Sequence, residues 1–260
     1  MALSREARAS SLPPLGYTES QSMTGSTDSS SSSQPVIVLQ NLVKFFGRFA
    51  ALRGISENFL PRRLYVVVGD NGAGKSTLLR VVAGLMQPSQ GSVMLLGAQN
   101  AREVAHRIGY MGHAPLLYDE LNGMENLRYF AGLYGLSDDI VCSDAMGQVG
   151  LDPELERRLG QYSQGMRQRL SLARAVLHDP ELILLDEPFS NVDAHSARDM
   201  AAILGRMRDQ GKTIFVVTHQ AGLMQQVADE YVHMAAGQIV SRDAVDHSLA
   251  SIGGDTGGVR

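Results

Sequence analysis

The stretch that most constrains this chain is residues 69–77, which read Gly-Asp-Asn-Gly-Ala-Gly-Lys-Ser-Thr. An apolar run, Leu64 to Val68, precedes it, and a helix-compatible segment, Leu78 to Leu85, follows. A strand feeding a glycine-rich turn that opens a helix is the context required by the phosphate-binding pattern G-x-x-x-x-G-K-[ST]. Gly69, Gly72 and Gly74 tolerate positive φ and carry no Cβ, so the N–H groups of Gly69, Asn71, Gly72, Ala73, Gly74 and Thr77 are free to converge on an anion. The helix that follows points its positive end at the same phosphates. Lys75 reaches the β- and γ-phosphates, and the Ser76 hydroxyl is suited to ligate Mg2+. The bare pattern arises by chance in roughly one chain in 100 of this length, and the flanking strand and helix reduce that further. The sequence thus specifies a site for a nucleoside triphosphate with Mg2+.

Composition narrows the setting. The chain has 260 residues, a formal net charge of -4, 44% apolar and 19% charged residues, an ordinary globular mix. No basic excess marks it as a nucleic-acid binder. The single cysteine, Cys142, excludes an intramolecular disulfide, fits a reducing compartment and reads as a small apolar side chain. No apolar run approaches the roughly 18 residues of a membrane span, so any work at a membrane goes through a partner.

Residues 1–34 are Ser-rich, with Asp28 followed by five serines, and are expected to be disordered because they bury too little to offset their ordering entropy. Arg5, Arg8 and the serines faintly suggest a transit peptide, but Glu6, Glu19 and Asp28 argue against one. Residues 246–260 are expected to form a flexible tail. Between them, 35–245 reads as one domain in which strands and helices alternate around the phosphate loop. That is the pattern of an α/β fold with a mainly parallel sheet. The expected elements are two or three antiparallel strands over 36–60, strands at 64–68, 90–97 and 108–111, and short helices at 76–84 and 101–107. A helical stretch, broken by Gly135, Gly150 and Pro153, runs from 123 to about 158, within a lobe spanning about 115–165. A turn at Gly165-Met166 is expected to precede a helix over 167–178, followed by a strand at 181–188, helices at 194–209 and 221–228, a strand at 213–219, and a hairpin near Ala236-Gly237.

Three further groups carry chemistry. The run Leu-Ile-Leu-Leu-Asp-Glu at 182–187 is a buried strand ending in two acids, which puts Asp186 at the carboxyl edge where open α/β sheets bind ligands. Asp186 is placed to hold Mg2+ opposite Ser76, and Glu187, pointing elsewhere, to polarise the attacking water. Tyr162-Ser163-Gln164-Gly165-Met166 leads into a helix and forms a second anion-binding end, which makes sense if it closes over the γ-phosphate held by another copy. Thr218-His219-Gln220 ends the strand expected at 213–219 and places His219 near the same edge. Among Phe45, Phe46 and Phe49, one offers a flat face for a purine ring.

In this order and spacing the motifs resemble those of the ATP-binding subunits of ATP-binding-cassette (ABC) transporters over about residues 36–245. Residues 69–77 resemble the Walker A loop, and 182–188 the Walker B strand with its catalytic Glu187. Residues 162–166 stand where the LSGGQ signature lies, Ser190 to Asp193 where the D-loop lies, and His219 where the switch histidine lies. Phe46 fits the adenine-stacking aromatic. The resemblance implies an antiparallel β subdomain and a helical lobe on a P-loop core. It also implies a head-to-tail dimer, homomeric or with a second ATPase, with ATP held between Walker A of one copy and the signature of the other. ATP hydrolysis would then drive a separate transmembrane permease from the cytoplasmic face of the membrane. Two positions depart from the pattern. The signature keeps Ser163 and Gly165 but not the full LSGGQ, and His113 replaces the Q-loop glutamine that helps position Mg2+. Imidazole accepts a hydrogen bond only when neutral, so activity is expected to fall more steeply in acid than in a His113→Gln variant. Residues 112–113, 125–136 and 162–180 look similar to the haem-exporter ATPase of cytochrome c maturation, and with variations to ATPases of drug, lipid and polysaccharide exporters. A non-transport ABC ATPase is the alternative of a different class, disfavoured by the absence of a coiled-coil insert or a second cassette.

Overall fold

The structure, a computed structural model, describes residues 34–246. The expected disorder of 1–34 and flexibility of 246–260 fall outside the described residues except at Gln34 and Asp246.

The chain opens with two long antiparallel strands, β1 (Ile37–Phe46) and β2 (Phe49–Phe59). β4 (Gln90–Leu95) pairs with the other edge of β1, giving a three-stranded antiparallel sheet in the order β2-β1-β4. The second sheet has six strands in the order β5-β6-β7-β3-β8-β9. Its parallel members are β3 (Leu64–Val68), β5 (Ile108–Met111), β6 (Leu182–Asp186), β7 (Thr213–Val217) and β8 (Glu230–Ala235). β9 (Gln238–Ala244) returns antiparallel to β8 through the turn at Ala236-Gly237.

Why this sheet forms a floor for the site follows from the period of two along a strand. In β3, Leu64 and Val66 pack into one core with Ile183, Leu185, Ile214 and Val216 and with helices α4 (Gln164–Val176) and α5 (Ala194–Asp209). Tyr65 and Val67, pointing the other way, join Leu184, Phe215 and Val217 in a second core against the antiparallel sheet and α1 (Lys75–Val82). Both faces are covered, so the strands are apolar throughout rather than alternating. Phe59, Tyr65 and Phe215 fasten the two sheets together, with centroids 4.6–5.2 Å apart. Burial pushes the Tyr65 hydroxyl up to about 12.

Two elements differ from expectation. The stretch from 123 to 158, expected to be helical with breaks at its glycines, is two helices, α2 (Gly123–Leu133) and α3 (Asp139–Gln148). Gly135 and Gly150 take left-handed φ values of +72° and +70° and end them. Caps start them: an Asn122–Glu125 capping box for α2 and Asp138 for α3. Cys142 is buried in α3, and burial raises its thiol above its ordinary pKa. The expected turn at Gly165-Met166 is instead the first turn of α4 (Gln164–Val176), because the Ser163 side chain caps that helix by accepting from the Met166 N–H at 3.3 Å. The expected helix at 221–228 is a single 3-10 turn, Ala221–Met224. So short a segment is held by tertiary contacts rather than by helix propensity: Met224 is buried, and the Tyr231 hydroxyl donates to the Ala221 carbonyl. The helix over 194–209 is α5 (Ala194–Asp209), capped by Asp193.

Candidate nucleotide-binding and hydrolytic site

β3, β6 and β7 are parallel neighbours or next-neighbours, so their carboxyl ends open on one edge of the sheet. That alone brings together residues distant in sequence. The loop after β3 carries Gly69 to Gly74; β6 ends in Asp186; His219 follows β7 by two residues.

The loop is tightly fitted. A Cβ on Gly69, whose φ is +148°, would lie 2.1 Å from the Met234 carbonyl oxygen, and one on Gly74, at φ +99°, 2.6 Å from that of Ala51. The β8–β9 hairpin thus buttresses the loop from one side and β2 from the other. The Ala73 carbonyl accepts from the Gly237 N–H at 3.1 Å. Lys75, at the start of α1, is buried, and its ammonium donates to the carbonyls of Gly69 at 2.6 Å and Asp70 at 2.9 Å. Its charge is therefore kept in the mouth of the loop, where phosphate would replace carbonyl oxygens.

Ser76 Oγ donates to Asp186 Oδ1 at 2.8 Å. Asp186 is 2% exposed, and an ionised carboxylate taken out of water needs a compensating cation. The pair fits Mg2+, which takes one or two protein oxygens and completes its shell with water and substrate phosphate. Consistently, no cluster of three or more His, Cys, Asp or Glu able to hold a metal occurs among the described residues. Glu187, next along, turns away from Asp186 on a backbone with φ +55°. Its Oε2 lies 2.9 Å from His219 Nδ1 and accepts weakly from the His219 N–H at 3.4 Å. A cleft of about 330 Å³ fronts these groups, lined by Phe46, Phe49 and Ala51, by Asn71, Gly72 and residues 74–77 of the loop, and by Glu187. Both phenylalanines are exposed, and the Lys44 ammonium lies 5.6 Å from the Phe46 ring centroid.

The structure gathers Phe46, Lys75, Ser76, Asp186, Glu187 and His219 at this edge. Ser163, Gly165, Asp193 and His113 do not line the cleft. Ser163 caps α4, Asp193 caps α5 through the N–H groups of His195 and Ser196 at 3.0 Å, and those bonds hold the Asp193 carboxyl below its ordinary pKa. A Cβ on Gly165 would meet Ser196 Oγ at 2.9 Å, so the two helix starts are packed face to face. His113 is exposed in the loop after β5. Sequence reasoning had Phe49 among its three candidate aromatics and missed Ala51 as a cleft residue, though the alternation along β2 signals that Phe49 and Ala51 share a face. It also missed the support from Met234 and Gly237, for which no local signal exists because the contact is set by the sheet order.

A family model described as ABC transporter matches residues 52–190. The chain is 34% identical over 203 residues to the ABC transporter ATP-binding protein NatA of Bacillus subtilis, covering 75% of this chain and 82% of that protein. It is 31% identical over 216 residues to the bacitracin transport ATP-binding protein BcrA of Bacillus licheniformis, covering 82% and 71%. Among solved structures, its fold resembles that of MJ0796, a bacterial ABC transporter cassette in dimeric form, with a TM-score of 0.74, 22% identity, and coverage of 81% of this chain and 99% of that one. The chain belongs to the ABC transporter family, as one of its ATP-binding subunits, and is an ATP hydrolase.

Proposed function

We propose that this subunit hydrolyses MgATP to power export through a separate membrane permease, working at the cytoplasmic face of the membrane. The observation that carries the hydrolytic part is the pairing of two acids with two different partners at one sheet edge: Asp186 with Ser76, Glu187 with His219. One acid is set to hold a metal and the other is free to act on water. The loop amides and Lys75 bind and neutralise the triphosphate, while Phe46 stacks on the base. Ser76 and Asp186 would hold Mg2+, which would supply charge neutralisation to the triphosphate. Glu187 orients or deprotonates the water for in-line attack, and His219, bonded to the Glu187 carboxylate, supports the γ-phosphate.

Ser163, Gly165 and Asp193 serve the ATP of a second copy in a head-to-tail dimer. Their absence from the lining of the chain's own cleft and the dimeric form of MJ0796 support this. His113, in its exposed loop, contacts the metal-bound nucleotide only in that closed state. The permease reading is supported by two facts: no helix among the described residues is long and apolar enough to cross a membrane, and Leu116, Tyr118, Tyr129, Leu133 and Tyr134 expose apolar surface around α2. Patches of this kind mark interaction sites. Domain limits of 35–245, with a lobe at about 115–165, accord with this division.

Export of an amphipathic compound accords with the relatives, which include a fluoroquinolone export protein of Mycobacterium tuberculosis and the bacitracin protein. Haem as the cargo is supported only by the local likeness at 112–113, 125–136 and 162–180. A mild-detergent pull-down of the Glu187→Gln protein with ATP tests these readings. Recovery of a haem-handling permease supports haem, a drug- or peptide-type permease supports the broader exporter reading, and recovery of no membrane protein overturns the transport role.

A further inference from the structure

Glu187 sits where β6 ends, and its left-handed backbone, φ +55°, is a conformation that a residue with a Cβ keeps only when its surroundings hold it there. On the strand side, the Glu187 N–H donates to the Val217 carbonyl at 2.8 Å, carrying the ladder one residue past β6. On the turn side, the Glu187 carbonyl accepts twice from one residue: from Ser190 Oγ at 2.6 Å and from the Ser190 N–H at 3.2 Å. Between them Pro188 and Phe189 are buried, so the turn is anchored in the core. Two glutamines complete the enclosure. Gln220 Nε2 donates to the Phe189 carbonyl at 3.3 Å, and Gln168 Nε2, from α4, to that of Ser190 at 3.5 Å.

The Glu187 carboxylate hangs from this backbone, and any rotation of its peptide swings the carboxylate away from His219 and the cleft. Of the bonds that hold the turn, the one from the Ser190 hydroxyl is the shortest and the only one a single side chain makes to Glu187's own backbone. Ser190 does not line the cleft, so it acts on the site only through its neighbour. We propose that Ser190 is a positioning residue for Glu187, its hydroxyl locking the left-handed turn that aims the carboxylate at the attacking water. The inference rests on Glu187 being the base.

The test is steady-state ATP turnover of the full chain, with and without its permease. Ser190→Ala should lower kcat about tenfold or more, as a small misplacement of a catalytic group does. The KM for ATP should stay within about twofold, since the binding groups are untouched. Ser190→Thr, which keeps the hydroxyl, should restore kcat to within about threefold. Adding Ser190→Ala to Glu187→Gln should cause no further loss, because a residue acting through another is silent once that other is gone. Wild-type kcat in Ser190→Ala overturns the inference. So does a loss that Thr does not restore and that comes with weakened ATP binding, since that marks a structural role. Glu187→Gln at wild-type rate would instead overturn the base assignment, whatever Ser190 does.

Discussion

At Gly69 the backbone comes within 2.1 Å of where a side chain would begin, with the Met234 carbonyl on the far side. At Gly72 nothing lies within 4 Å. Both are left-handed, so the strain of adding a Cβ is shared and the collision is not. Gly69→Ala should cost about 1–3 kcal/mol more stability than Gly72→Ala, measured by urea denaturation, and it alone should displace the β8–β9 hairpin. Equal costs would mean that the hairpin yields freely. Lys75, Ser76, Asp186 and Glu187 were legible in the sequence because each lies in a short pattern whose chemistry fixes the residue type. Ser190 and Met234 were not, because their roles come from a turn and a sheet order that no local pattern encodes. His113 was legible as a departure from the family pattern, and it is exposed in the loop after β5.

Among the elements, α4 carries the most varied load. Its first turn, capped by Ser163, carries Gly165 and Met166; its last turn and the two residues after it lie along β5. There Arg174 donates to the Tyr110 carbonyl at 3.2 Å, and His178 Nε2 lies 3.1 Å from that of Ile108. The His178 ring stacks on Tyr134 at 4.2 Å. Its Nδ1 is buried without a partner, and burial lowers its pKa below the ordinary 6.5, against Asp179, which raises it, with His106 and Lys212 lowering it further. The unfolded chain therefore takes up this proton first as pH falls. The stability owed to neutral His178 is complete above about pH 6.5 and is lost progressively below it. Thermal melting of the wild type should drop by a few degrees between pH 7 and pH 5.5, and His178→Phe should flatten that slope. An unchanged slope would show that other groups set the acid limit. Helix boundaries were readable at α2, α3 and α5, where a cap or a glycine stop was present. They failed at α4, where Gly165 resembled a turn residue but sits inside the first helical turn for close packing against Ser196.

Across the molecule, the six-stranded sheet divides two cores, and the Phe59–Tyr65–Phe215 cluster joins the sheets beneath the phosphate loop. Phe215 is 3% exposed. Its replacement by Ala should cost about 3–5 kcal/mol, or roughly 10 °C in melting temperature for a domain of this size, and should weaken ATP binding by loosening the floor of the loop. Loss of stability with intact binding would separate the core from the site. The alternation of strands and helices made the α/β class plain in the sequence. The strand order did not follow from it, and that order is what places β7, and so His219, between the loop and the Walker B strand. The proposed hydrolysis turns on Glu187, aimed from the edge of that sheet, activating water against ATP bound between two copies. The most direct measurement is ATP turnover and ATP-dependent dimerisation of Glu187→Gln, by phosphate release and by light scattering after size exclusion. Turnover reduced at least about 100-fold, with ATP still bound and a stable dimer accumulating, is the predicted result. Turnover at the wild-type rate, or a protein that stays monomeric with ATP bound, would contradict it.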